Sequence, residues 1–404
     1  MIAITVLAIP MYFGLMAIEL VYEAITKKHT YRLSDAITNI SSGTLQQTTG
    51  VFFKILKIGI YAAIFNQFAF FHLPNNAWTF TALFILYDLI YYWEHRLAHT
   101  VSLFWGGHIV HHQSEDYNLS VALRQSSTSF IWGFPFFLPL ALLGFDPKML
   151  LLVGGINLLY QFWIHTEHID RLPNWFEAVM NTPSHHRVHH GRNPKYIDKN
   201  FAGVFILWDR MFGSFKAEEE RPSYGVTTPV KSWNPVYANF AHYIELFKTT
   251  RQSRSYKDTL KMLFYKPGWM PSYLGGYQAP TELKEDYKKY NPQVGPTIGK
   301  YVFAHFLILL ILVPLFFAVQ EELPMAQRFL YAVWIVMTTL SFGFMFEKKA
   351  TWLWHYEIIR MIGLVGIGYL IASTLIVSIS LALVNTFVIG LFSLLYFYFY
   401  IRNE

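Results

Sequence analysis

Nine stretches of this chain are apolar enough to belong in hydrocarbon, and no other property limits its fold so sharply. They run Ile2–Val21, Thr49–Phe71, Trp78–Trp93, Ser129–Leu143, Lys148–Trp163, Tyr301–Val319, Met325–Met345, Ile358–Ser380 and Leu381–Ile401. A helix needs about 20 apolar residues to cross roughly 30 Å of hydrocarbon. The third, fourth and fifth stretches are short. The fourth and fifth share the turn Gly144-Phe145-Asp146-Pro147, so they form either two crossings or one re-entrant hairpin. Composition agrees with burial in lipid. Of 404 residues, 53% are hydrophobic and 14% charged, against about 25% charged in a soluble domain. An aromatic share of 18% excludes low-complexity disorder. The expected fold is all-α, a multispanning transmembrane helical bundle.

Charge sets the expected sidedness. Thirty-two Lys and Arg against 26 Asp and Glu leave a net +6. On a chain this apolar the excess belongs in loops on the cytosolic face of a membrane, and no nucleic-acid partner is expected. With the N-terminus of the first span outside, the loop of Lys27, Lys28 and Arg32, the segments 94–128 and 164–300, Lys348, Lys349 and Arg402 all fall inside. Only Lys148 and Arg328 fall outside. The first span lacks a basic leader and a small-residue cleavage site, and reads as a retained anchor. Such a chain belongs in the cytoplasmic membrane of a bacterium or the endoplasmic reticulum of a eukaryote.

Four parts are expected: N-terminal transmembrane helices (1–77), a histidine-bearing catalytic domain (78–220), an interfacial segment (221–300) and a C-terminal four-helix transmembrane block (301–404). In the third, Val236, Phe240, Tyr243, Ile244 and Phe247 recur at i, i+4, i+7, i+8 and i+11, followed by Lys248, Arg251, Arg254 and Lys257. That helix either lies on an anionic leaflet or caps the protein's own core.

Histidine carries the chemistry. Eleven of the 16 histidines fall between positions 95 and 190. His95 and His99 form HxxxH. His108, His111 and His112 form HxxHH, and His186, His189 and His190 form a second HxxHH. His165 closes the run Gln161-Phe-Trp-Ile-His165. Spacings of three and four place side chains on one helical face, so each group aims several imidazoles at one place. These nine rings exceed the four ligands of a single tetrahedral zinc site, and two metals sharing a cavity is the economical reading. Imidazole suits zinc, copper, iron and nickel alike. The isolated His29, His72, His242, His305 and His355 read as structural, and His168 and His185 as neighbours of the site.

Carboxylates flank the clusters, and a ligating imidazole usually passes its other N–H to a carboxylate or carbonyl. Asp88 lies two helical turns before His95 on the same face and is expected to support it. Asp116 and Glu167 read instead as solvated loop acids. Two redox metals under the headgroups would activate dioxygen against a lipid C–H bond; zinc would activate water and make a membrane hydrolase, or the site would serve a metal carrier. The absence of cysteine excludes disulfides, iron–sulfur clusters and cysteine nucleophiles, and no P-loop or GxSxG is present.

The ordered set HxxxH, HxxHH, QFWIH and HxxHH, following Tyr87-Asp-Leu-Ile-Tyr-Tyr-Trp-Glu-His95, resembles the fatty acid hydroxylase / sterol desaturase superfamily of membrane di-iron oxygenases. Within it the stretches 108–125, 159–167, 181–193, 197–203 and 207–215 resemble the ether-lipid-cleaving branch. The resemblance implies a cytosolic-face, histidine-rich helical cap holding two iron ions on His95, His99, His108, His111, His112, His165, His186, His189 and His190. It places Glu115 in the active site. It further implies O2-dependent hydroxylation of the ether-bearing carbon of an alkylglycerol, with a hemiacetal collapsing to fatty aldehyde and a glycerol moiety. The reductant would be a reduced pterin of the tetrahydrobiopterin type or another electron donor such as a redox partner. Other branches hydroxylate or desaturate fatty acyl, sterol or carotenoid chains, and carry histidine where Gln161 stands here. The lipid substrate would arrive from the bilayer; no motif specifies an oligomeric state.

Overall fold

The structure is a computed structural model and describes residues 8–284, 286–347, 352–375 and 379–401. Lys348, Lys349 and Arg402, which the charge argument uses, and residues 2–7 of the first expected span lie outside the described residues. The longer helices are α1 (Ile9–Thr26), α2 (Leu33–Phe68), α3 (Ala77–Thr100), α4 (Pro147–Trp163), α5 (Pro183–His190), α6 (Pro235–Thr250), α7 (Tyr256–Phe264), α8 (Pro296–Val319), α9 (Met325–Phe346), α10 (Leu353–Thr374) and α11 (Ile379–Tyr396), which a π-helical turn prolongs to Ile401. Among the described residues the only extended pairings are two isolated bridges, Met180 with Phe205 and Gly191 with Tyr224.

Six of these helices, α1, α2 and α8 to α11, are long and apolar enough to cross a bilayer. The chain is a multi-pass membrane protein. The other three expected spans fall short of that criterion for local reasons. Helix α3 carries Asp88, Glu94 and Arg96 along its length. Segment Ser129–Leu142 is interrupted at Pro135 by a 3-10 stretch, Phe134–Phe137. Helix α4 has 17 residues, started by Pro147 and by Asp146, whose carboxylate accepts from the Lys148 and Met149 amides. A tight connection at 144–146 joins the two segments of 129–163. Its turn needs Gly144: φ is +87°, and a Cβ there would lie 1.9 Å from the Phe71 carbonyl oxygen.

The described chain divides into two units, residues 8–230 with 238–289, and residues 231–237 with 290–401. In the first, α2, α3, the 129–142 segment and α4 pack around Tyr61, Leu83, Leu140, Ala141, Phe145 and Val153. The two hairpin tips meet at one end, where the Phe70 amide donates to the Leu142 carbonyl at 2.7 Å. Toward the other end the same helices become polar on their inner faces. On α2 the buried Asp35 accepts from Ser114, and the buried Asn39 accepts from Arg124. On α1 the buried Glu19 accepts from the Leu119 amide and Thr166. Each of these partners belongs to a loop carrying a histidine motif. Helix α2 therefore starts 16 residues before the expected span at Thr49: its first half packs against the loops and only its second half reads as lipid-facing.

The second unit holds α8 to α11. Glu357 and Arg360 of α10 pair there, with Tyr301 donating to Glu357 at 2.7 Å and Ser341 at 2.5 Å. All four are buried, so the ion pair is satisfied on every side, as a charge among apolar helices must be.

Candidate metal centre

The nine rings converge, and they sort into two groups. Nitrogens of His95, His99, His108, His112 and His189 all lie within 4.8 Å of one another, as do those of His111, His165, His186 and His190. Helix α3 presents Asp88, Tyr92, His95 and His99 on its buried face. The helical turn Ile109–His112, with His108 at its N-cap, sends His108 and His112 to the first group and His111 to the second. Helix α5, whose eight residues are all buried, does the reverse: His186 and His190 go to the second group and His189 to the first. Arg187 fixes α5 in place through Glu218, at 2.7 and 2.8 Å, and through the Thr166, Ile169 and Asp170 carbonyls.

The hydrogen bonds around the rings state what they are prepared to hold. The Nδ1 of His95 bonds the Phe201 carbonyl at 2.7 Å, that of His111 the Arg124 carbonyl at 3.0 Å, that of His165 the Gln161 carbonyl at 2.8 Å and that of His189 the Lys199 carbonyl at 3.0 Å. A carbonyl only accepts, so these Nδ1 atoms carry the proton and their Nε2 atoms present lone pairs. Yet Nε2 of His111 and Nε2 of His165 face each other at 3.2 Å. Two acceptors at that distance have no proton to share. Nε2 of His99 and of His189 are buried without any hydrogen-bond partner. Burial and the neighbouring rings push His112, His186, His189 and His190 well below the ordinary imidazole range, and burial brings His111 down to about 4. Neutral, carbonyl-oriented imidazoles with converging lone pairs fit divalent metal ions.

The Fatty acid hydroxylase family model matches residues 80–214, a range that contains all nine rings. The chain is 38% identical over 346 residues to alkylglycerol monooxygenase from Homo sapiens, covering 85% of this chain and 77% of the relative. It is 31% identical to the Caenorhabditis elegans alkylglycerol monooxygenase over 82% of this chain and 70% of that one. The chain belongs to the alkylglycerol monooxygenase family. A more distant relative, lathosterol oxidase of Rattus norvegicus, is 28% identical over 38% of this chain and 50% of its own length. No solved structure matches.

In this family member His168, His185 and His242 belong to neither group. His185 faces Glu177, His168 lies against Tyr22 and Glu23, and His242 bonds the Ser102 carbonyl. Asp88 is buried, but its carboxylate meets no imidazole: it accepts from the Val204 and Phe205 amides, Trp208 Nε1 and Asn157 at 2.8 to 3.0 Å. The acceptor for His95 is instead the Phe201 carbonyl. Asp88 thus holds the loop 201–208 that supplies this carbonyl, and Asp209 holds it from the other side by accepting the Phe201 and Ala202 amides, both at 2.8 Å. Gln161 turns away from the second group, accepting from Tyr91 and donating to Asn157.

Glu115 is buried three residues beyond His112, and its carboxylate accepts from the Tyr287 hydroxyl. The Tyr287 ring in turn receives the Arg192 guanidinium, 5.0 Å from its centroid. Asp116 and Glu167 depart from their expected roles. Asp116 is buried between Arg32 at 2.7 Å and Lys289 at 2.8 Å, and Glu167 pairs with Arg221 at 2.8 Å. Tyr287 and Lys289 lie in a stretch without histidines or metal-like spacing, and only the chain's return over the Glu115 loop gives them a place. Tyr117, stacked on Tyr224 at 4.7 Å, sits 5.3 Å from the His190 ring and covers the second group on one side.

Proposed function

We propose that this chain is an O2-dependent di-iron lipid monooxygenase that hydroxylates the ether-bearing carbon of an alkylglycerol. The observation that carries the reading is the division of nine converging imidazoles, eight buried and His108 half-buried, into sets of five and four, in a chain related over most of its length to alkylglycerol monooxygenases. His95, His99, His108, His112 and His189 would hold one iron, and His111, His165, His186 and His190 the other. Bound there, the pair supplies O2 activation for insertion of one oxygen atom into a C–H bond.

The reaction balances with a two-electron donor. The carbon beside the ether oxygen exchanges a hydrogen for a hydroxyl, and two electrons and two protons carry the second oxygen atom off as water. The hemiacetal then breaks its bond to the ether oxygen, releasing a fatty aldehyde and a glycerol hydroxyl. A reduced pterin of the tetrahydrobiopterin type supplies the electrons, or a redox partner does. Asp88 and Asp209 keep the Phe201 carbonyl in place beneath His95. Glu115, anchored by Tyr287, is the carboxylate that orients substrate or reductant. The basic loop of Lys27, Lys28 and Arg32 supports a cytosolic-facing site, in the cytoplasmic membrane of a bacterium or the endoplasmic reticulum of a eukaryote.

Membranes carrying the protein, given isotopically labelled O2, reduced pterin and an alkylglycerol, should release fatty aldehyde together with free glycerol product. A hydroxylated acyl or sterol product without aldehyde would overturn the substrate assignment. Zinc as the only bound metal, in protein produced with iron available, would overturn the redox chemistry.

A further inference from the structure

Helices α6 and α7 expose apolar residues that the fold does not cover. Spacing alone groups Tyr243 with Phe240, Ile244 and Phe247, but the structure divides that set. Tyr243 turns onto the catalytic unit, where its hydroxyl accepts from Trp132 Nε1 at 2.8 Å, and a Cβ on Gly106 would lie 2.4 Å from its ring. On the same side the Ala238 carbonyl accepts from Gln113, the Asn239 side chain from the Ser127 amide, and His242 bonds the Ser102 carbonyl. Phe240, Ile244 and Phe247, at i, i+4 and i+7, remain between 47% and 54% exposed. Helix α7 repeats the arrangement. Met262 is buried and the Tyr265 carbonyl receives the Ser102 amide at 2.9 Å, while Tyr256, Leu260 and Phe264 are exposed at i, i+4 and i+8.

Charge identifies the occupant of this face. Between positions 248 and 266 stand six Lys or Arg against one acid, Asp258. We propose that α6 and α7 lie in the plane of an anionic lipid leaflet and anchor the catalytic unit to it. An exposed apolar ridge followed by cations is what the headgroup–acyl boundary accepts: the ridge enters about 5–10 Å and the cations stay among the phosphates. The consequence reaches the histidines. Ser102 lies between His99 and His108, and Gln113 directly follows His112, so both helices clamp the loops that carry the first two motifs. Their immersion holds those loops at the leaflet surface. The inference does not depend on which lipid is oxidised.

The chain contains no cysteine, so F240C, I244C, F247C and E245C each give a single nitroxide site in the full-length protein. Reconstituted in phosphatidylcholine with phosphatidylglycerol, labels at 240, 244 and 247 should collide with O2 more than with a water-soluble nickel chelate. The label at 245, on the flank, should favour nickel. Immersion should be shallower in phosphatidylcholine alone, and the triple variant R251Q/R254Q/K257Q should erase that difference. Nickel access at the ridge equal to that at 245 overturns the proposal. So does shielding from both reagents with spin–spin broadening, which means a second copy covers the face. Equal depth in the two lipid mixtures overturns the anionic leaflet as its partner.

Discussion

Replacing His165 and replacing His108 are predicted to have unequal consequences, because the two groups are unequal. His165 belongs to the set of four and His108 to the set of five. His165→Ala leaves three nitrogens, whereas His108→Ala leaves four, still the number of a closed tetrahedral set. Loss of a hydrogen-bonded partner behind a ligand already costs about 10–100-fold in metal affinity, so loss of the ligand itself from the smaller set should exceed about 100-fold, or roughly 2.7 kcal/mol. His108→Ala should stay within about 10-fold, near 1.4 kcal/mol. The assay is iron per chain by mass spectrometry after equilibration with graded chelator, with Mössbauer spectra to separate the two ions. His165→Ala should fall from about two irons toward about one, and His108→Ala should hold both over a wider range. Equal weakening by the two substitutions, or simultaneous loss of both irons from each, would refute the division into separate sites.

Acid should release the metal and loosen the metal-free protein together. An imidazole whose folded value is depressed contributes stability that is present above its unfolded value near 6.5 and is lost as pH falls through its folded value. For His111, brought down to about 4 by burial, the window is pH 6.5 to 4 and the loss is on the order of 3 kcal/mol; thermal unfolding of metal-free protein across that range checks it, and a flat profile contradicts it. Asp209→Asn should act on iron through His95. It keeps one acceptor oxygen where the carboxylate serves Phe201, Ala202 and Ser214, costs about 1–3 kcal/mol and should weaken iron at the set of five by about 10–100-fold. Lost stability with unchanged iron affinity would make Asp209 purely structural.

Spacing made the nine imidazoles legible, because i+3 and i+4 are properties of sequence. What orients them was not. The acceptors for His95, His111, His165 and His189 are backbone carbonyls, which every residue possesses, so no residue type marks Phe201, Arg124, Gln161 or Lys199. A carboxylate two turns before His95 points to Asp88 as its acceptor, but Asp88 instead holds the carbonyl-bearing loop. Hydropathy located the six helices long and apolar enough to span among the described residues, yet it missed the first half of α2, since Asp35 and Asn39 are buried against loops rather than lipid. The same logic hid Asp116: an acid in a loop reads as solvated until Arg32 and Lys289, 84 and 173 residues away, close over it.

The sorting of the rings has a geometric cause that explains why one motif occurs twice. Around a helix, i+4 lies about 40° from i on one side and i+3 about 60° on the other, so HxxHH splits into a pair and a single ring pointing apart. A turn lying between two ions can therefore give its pair to one and its single ring to the other. The turn at 108–112 and helix α5 do this in opposite senses, so each group receives two rings from one motif and one from the other. HxxxH offers only a pair, and both of its rings enter the first group; the lone His165 completes the second. Neither group draws its rings from one segment, and the loss of either HxxHH would take rings from both. The repetition of the motif thus supports the proposed two-metal reading, in which rings turned apart would each have an ion to meet.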